Sequence, residues 1–204
     1  AAPGSAAAVA AAGGGAAADC HGECDKMRAL ALETPRVRRI VEHMEALGCA
    51  VPDTFVRCAP CAPNEGIAGG FVPGGPDGAA PHVVVLCEDN LAKFKLPQAH
   101  VDRTLAHELV HAYDTCRAKV DWKNCLHIAC SEVRAARLSG DCAFTAELNR
   151  RQLGFKAQGG ACARRRAELS VAAHPHCADI AREAVERVFE PCFADKAPFV
   201  SKFD

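Results

Sequence analysis

An α+β domain, with one small sheet among several helices, is the fold this 204-residue chain predicts. Three observations point there. Apolar residues recur at helical spacing in the first third of the chain and again around its middle. Between those stretches lies a Gly- and Pro-rich region interrupted by short β-branched runs. Half of all residues are apolar, which is enough to bury one well-packed core in a chain of this length. No internal repeat is present.

Taken in order, residues 1–19 are expected to be a disordered Ala/Gly-rich leader, with the folded domain spanning 20–204. The stretch "CHGECDKMRALALETPRVRRIVEHMEALGC" is helical for much of its length. In its second half Val37, Ile40, Val41, Met44 and Leu47 share one face, and Gly48 supplies a stop. From residue 51 to 82 the Gly and Pro content breaks any helix and leaves short strands joined by turns. "HVVVLCED" (82–89) is a strand. A long helix follows, with Pro97 near its entrance. Another helix runs from Leu126 to Leu138 and stops at "SGD". A C-terminal helical hairpin spans 161–173 and 177–190, divided by the proline in "HPH".

Charge and hydropathy exclude two classes of partner. The net charge is −1, so nothing suggests nucleic-acid binding. No apolar run reaches the ~20 residues needed to cross a bilayer, so membrane contact should be peripheral. Thirteen cysteines read as a disulfide framework in an oxidising compartment or as metal ligands, and the odd count leaves one thiol over.

The chemistry sits in "TLAHELVHAYDTCRAKVDW" (104–122). His107, Glu108 and His111 form an HExxH pattern. Two imidazoles four residues apart lie on one helical stripe and can reach one ion. The rest of the helix is Leu, Ala, Val and Tyr, so it should be buried almost all round. An unpartnered buried polar side chain costs about 1–3 kcal/mol, and a zinc ion would remove that cost for both histidines. Glu108 would then act as the general base of a zinc endopeptidase.

A third ligand must come from another element. Glu132 shares a helical stripe with Cys125, Ile128, Ala129 and Ala136, where a carboxylate needs a cation. His127 is the rival, on the side of Ser131 and Arg134. Asp114, Asp121 and Asp141 are candidates to orient the ligand imidazoles through their outer N–H groups. His127, Tyr113 and Arg134 are candidates to stabilise an oxyanion, and nothing in the sequence chooses among them.

The block "HELVHAYDTCRAKVDWKNCLHIACSEVRAARLSGDC" (107–142), with "CARRRAELSVAA" and "AVERVFEPCFADKAPF" further on, closely resembles a known family. It is similar to the mitochondrial inner-membrane metalloproteases that mature subunit 6 of the ATP synthase, whose vertebrate members also carry a Ku-binding protein name. The resemblance covers about residues 20–204. It implies a zincin-like domain, with His107 and His111 as zinc ligands and Glu108 as the catalytic glutamate. It also implies an endopeptidase peripheral to the inner membrane on the intermembrane-space side. Its partner would be ATP synthase subunit 6 or its precursor. An alternative role, assembly chaperone with a non-catalytic zinc site, comes with the same resemblance.

An intermembrane-space placement favours disulfides for the cysteines. If the C-terminal helices form an antiparallel hairpin, Cys162 and Cys192 meet at its open end and pair, and Cys177 at the turn must look elsewhere. Cys20 and Cys24 either cross-link to Cys58 and Cys61 or join them around a structural zinc.

Overall fold

The structure is a computed structural model describing residues 16–61, 66–75, 81–143, 146 and 158–199. The first helix, α1 (Ala16–Leu32), begins within the expected leader, because a run of alanines is a strong helix former. Residues 16–19 of the expected leader are therefore helical; its residues 1–15 lie outside the described residues. Thr34 adopts an extended conformation (φ −65°, ψ 140°) ahead of Pro35, which is the first residue of α2 (Pro35–Ala46). Proline disfavours the helical conformation in the residue before it and is itself tolerated in a first turn. The single apolar stretch thus becomes two helices.

Three short strands follow, β1 (Val56–Ala59), β2 (Gly69–Val72) and β3 (Val83–Cys87). Their order is β1-β3-β2, with β1 parallel and β2 antiparallel to the central β3. Every residue of β3 is buried. Val84 and Leu86 face the main core, while Val83, Val85 and Cys87 join Cys61 in a small cluster on the other face. Gly69 lets β2 come this close: a Cβ there would lie 2.8 Å from the Val85 carbonyl oxygen. The strand ends two residues earlier than the sequence suggests. Glu88 and Asp89 instead open α3 (Glu88–Lys93), where acidic side chains suit the positive end of a helix.

Helix α4 (Gln98–Arg117) carries the HExxH pattern. It is packed by α1 and α2, by the sheet through β2 and β3, and by α5 (Cys125–Leu138), which accounts for its apolar character all round. The Asn124 side chain caps α5 by accepting the Leu126 N–H at 2.9 Å. Helices α6 (Gln158–Ala172) and α7 (Ala181–Ala194) both pack against α5. Helix α7 starts later than expected because a 3-10 turn, Ala178–Ile180, intervenes.

Six disulfides staple the chain: Cys24–Cys58, Cys49–Cys116, Cys61–Cys87, Cys125–Cys177, Cys130–Cys192 and Cys142–Cys162. Cys20 is the odd thiol. The expected Cys162–Cys192 pair is therefore incorrect. Both α6 and α7 lie on α5, so Cys192 meets Cys130 of α5 and Cys162 meets Cys142 just beyond it, rather than each other. Cys24 does reach Cys58, but Cys61 turns to Cys87 on β3, which leaves no four-cysteine zinc site.

Candidate metal centre

Helices α4 and α5 pack directly on one another, and their contact brings Glu132 up to the two histidines. His107 Nε2 lies 3.2 Å from Glu132 Oε2, and His111 Nε2 lies 3.5 Å from Glu132 Oε1. The two imidazole rings stand nearly perpendicular, with centroids 4.9 Å apart. One ligand atom from each of the three residues falls within 4.8 Å of the other two. All three residues are 5% exposed or less.

The hydrogen bonding of this cluster is incomplete. His107 Nε2, His111 Nε2 and both Glu132 carboxylate oxygens are buried without a hydrogen-bond partner. Each such orphan costs about 1–3 kcal/mol, so four converging on one point is a large penalty to leave standing. A divalent cation would supply the missing partner for all of them. The spacing suits one. For metal–ligand bonds of about 2.0–2.1 Å, neighbouring ligands of a tetrahedron sit roughly 3.3–3.4 Å apart, and the two contacts here are 3.2 and 3.5 Å. Two imidazoles and a carboxylate fit zinc among the common ions.

Electrostatics agree with a cation site. Burial pushes the His111 imidazole down to about 3, so its lone pair stays available. Burial also works against charge on His107, but the carboxylates of Asp141, Glu132 and Glu108 outweigh it and raise this imidazole. Glu132 is held below the usual carboxylate range, because His111 and His107 overcome the effect of its burial. The pocket thus favours negative charge on Glu132 and positive charge facing it.

An outer contact fixes which nitrogen of His111 faces the site. Ser131 Oγ lies 2.7 Å from His111 Nδ1 and donates its one proton to Asp114 Oδ2 at 3.0 Å. It must then accept from Nδ1–H, leaving the Nε2 lone pair aimed at Glu132. Asp114 is anchored in turn by Arg134, at 2.9 and 3.1 Å. Asp141 Oδ2 sits 3.5 Å from His107 Nδ1. Gly140 places it there: its φ of +90° is left-handed and turns the chain sharply just after α5. Of the three aspartates picked from the sequence, Asp141 lies beside an imidazole and Asp114 acts on His111 only through Ser131. Asp121 is in an exposed turn, accepting the Lys123 N–H.

Glu108 is fully buried beside the cluster. Burial raises its carboxyl, opposed by His107 and by the Phe71 backbone N–H of β2. Its Oε2 has no partner, which leaves a proton-accepting atom on the residue next to His107. His127 is exposed, and its Nδ1 accepts the Asp121 N–H at 3.0 Å, so it is not brought to the other histidines. Arg134 is occupied by Asp114 and by the Asp195 and Ala197 carbonyls, which removes it as an oxyanion donor. Tyr113 lies under the Arg117 guanidinium.

Sequence reasoning missed Ser131, Trp122 and His174. The Trp122 ring stands edge-on to both His111 and Phe71, with centroids 5.8 Å away in each case. His174 is buried at the end of α6, within electrostatic reach of Glu132 and His111. A tryptophan in a turn beside two motif histidines was a readable signal. One histidine of the HPH spacer was not.

The Peptidase M76 family matches residues 22–200 of this chain. A human protein named mitochondrial inner membrane protease ATP23 homolog is 42% identical over 181 residues, covering 87% of this chain and 69% of the relative. The mitochondrial inner membrane protease ATP23 of Mycosarcoma maydis is 40% identical, covering 81% of this chain and 84% of its own. That of Schizosaccharomyces pombe is 35% identical, covering 86% and 90%. No solved structure matches. With this family spanning nearly all of the folded residues, the chain belongs to the peptidase M76 family, among relatives that are mitochondrial inner membrane proteases.

Proposed function

We propose that the chain is a zincin-like, zinc-dependent endopeptidase, with His107, His111 and Glu132 as the protein ligands and Glu108 as the general base. The observation that carries this reading is the set of buried, unpartnered donors converging across the α4–α5 contact. Zinc, when bound, supplies Lewis acidity to a water molecule and to the scissile carbonyl. The rest is done by the chain. Ser131 holds the His111 imidazole with Nε2 inward, and the Asp141 carboxylate lies beside His107 Nδ1. Glu108 accepts the proton of the attacking water and delivers it to the leaving amine. Burial by Phe71 and Trp122 limits bulk water around the carboxylates and strengthens their interactions.

The substrate we propose is the precursor of ATP synthase subunit 6. The site of action is the intermembrane-space face of the inner membrane, with the protein attached peripherally and aiding assembly of the membrane sector. Six disulfides suit an oxidising compartment. Among the described residues no helix is long and apolar enough to cross a membrane.

The test is incubation of purified protein with the subunit 6 precursor, followed by sequencing of new N-termini. One discrete new terminus, absent with Glu108→Gln, is the expected result. No cleavage by the wild type overturns the substrate assignment. Full rescue of ATP synthase assembly by Glu108→Gln would assign the role to assembly instead.

A further inference from the structure

A second site lies away from the metal centre. A cavity of about 790 Å³ opens between the starts of α2 and α4 and the end of α5. Five cations line it, Arg36, Arg39, Arg103, Arg137 and Lys196, against one carboxylate, Asp102. That is a strong local excess in a chain whose net charge is −1. Two helix N-termini add to it, since Pro35 opens α2 and Ala99 is the second residue of α4. Neither helix has an acidic residue in its first turn or a side-chain cap, so partial positive charge from both ends faces the cavity uncompensated.

Arg103 lies 4.0 Å from the Asp141 carboxylate, whereas Arg36 and Arg137 are held by a carbonyl and by aromatic rings. Arg36 donates to the Leu138 carbonyl and lies over the Phe199 ring at 5.7 Å. Arg137 lies over the Phe193 ring at 4.1 Å. Burial pushes both below the usual arginine range, and no acidic neighbour opposes it. An anion entering the cavity would meet prepositioned cations that are already partly desolvated.

The cavity volume is that of a small-molecule pocket, far larger than one inorganic phosphate requires. Its walls also include Pro35, Leu138 and Phe199, which suit carbon as well as charge. We propose that this cavity binds the phosphate headgroup of an anionic phospholipid and so seats the protein on the membrane. The relatives are inner membrane proteases, and no described helix spans a bilayer, so a surface site of this kind supplies an attachment. The inference rests on the peripheral-membrane part of the proposed function and is independent of the metal chemistry.

The experiment is vesicle flotation of the full chain with its disulfides intact. Vesicles of phosphatidylcholine alone are compared with vesicles containing about one-fifth phosphatidylglycerol. Flotation with the anionic vesicles only, weakening as salt rises, is expected. Each basic residue near an anionic surface contributes about a fivefold change in partitioning. Arg39→Glu with Lys196→Glu should therefore weaken binding about thirtyfold or more, and Arg137→Gln about fivefold. Arg182→Glu with Arg187→Glu removes the same charge from the exposed face of α7 and should change binding less than about threefold. Unchanged thermal midpoints exclude misfolding of the variants.

Equal losses in both double variants, or no flotation at all, overturn the proposal. So does tight binding of glycerol phosphate or pyrophosphate by a protein that ignores vesicles, which would mark a soluble anion. Glu108→Gln should float like wild type. Loss of zinc or cleavage with flotation intact would sink the protease reading alone.

Discussion

The core built by α1, α2, the sheet and α4 is filled with Ile40, Met44, Phe55, Phe71, Leu105 and Leu109. The core between α5, α6 and α7 has smaller side chains on average: Ala129, Ala136, Ala163, Ala167, Ala181 and Ala184 with three valines, beside Ile128, Phe189 and two cysteines. Large side chains bury more apolar surface per residue, so the first core is the better supported by burial alone. Small ones let helices approach closely but gain less. Each region carries three of the six disulfides, and in the second they supplement a core of smaller side chains. The latter three run from α5, or the turn just after it, to α6, α7 or the turn between them.

The metal cluster lies on the seam. His107 and His111 come from the large-residue side, and Glu132 comes from the helix that the disulfides pin. Ligand geometry should therefore depend more on those staples than on packing in the first core.

The largest effect tests the chemistry at that seam. Glu108→Gln should lower peptide cleavage about 10²–10⁴-fold while leaving bound zinc unchanged; steady-state kinetics beside metal analysis would show it. Retained cleavage would remove Glu108 as the base.

Next comes the contrast between the two cores. Removing Cys130–Cys192, as the paired alanine variant, opens a 62-residue loop and should cost about 4 kcal/mol in the loop-closure estimate. Ile40→Ala in the other core should cost about 2–5 kcal/mol. Denaturant unfolding gives both figures. Below their transitions, only the disulfide variant should hold zinc measurably more weakly. Equal loss of zinc in the two would break the comparison.

A smaller change addresses orientation. Ser131→Ala should weaken zinc about 10–100-fold by releasing the His111 tautomer. Chelator competition measures this, and an unchanged affinity would show that Ser131 does not set the ring.

The smallest effect is at the surface of the first core. Glu88 raises the His21 imidazole above its ordinary 6.5, through a 2.6 Å contact. Its contribution is therefore fully present below pH 6.5 and fades as pH rises through the raised value. Because His21 is half exposed, His21→Gln should cost at most about 0.5 kcal/mol at pH 5.5 and less at pH 8.5. A larger cost at the higher pH would contradict that sign.

Much of this was readable in the chain. Helical spacing located α2, α4 and α5, and the isolation of Glu132 among small apolar residues singled out the residue that the structure brings beside His107 and His111. What was not readable depends on distant contacts. The parallel pairing of β1 with β3, with β1 packed on α1, is not set by any local turn. The cysteine partners follow from α6 and α7 both lying on α5, which a hairpin drawn in isolation misses. Ser131 looks like an ordinary helical serine until Asp114, seventeen residues away, takes its proton.

Zinc content of protein purified without chelators tests the central claim most directly. One zinc per chain is expected in wild type and in Glu108→Gln, and none in Glu132→Ala with its fold retained. Metal-free wild type that still cleaves peptide, or full zinc in Glu132→Ala, would contradict the assignment.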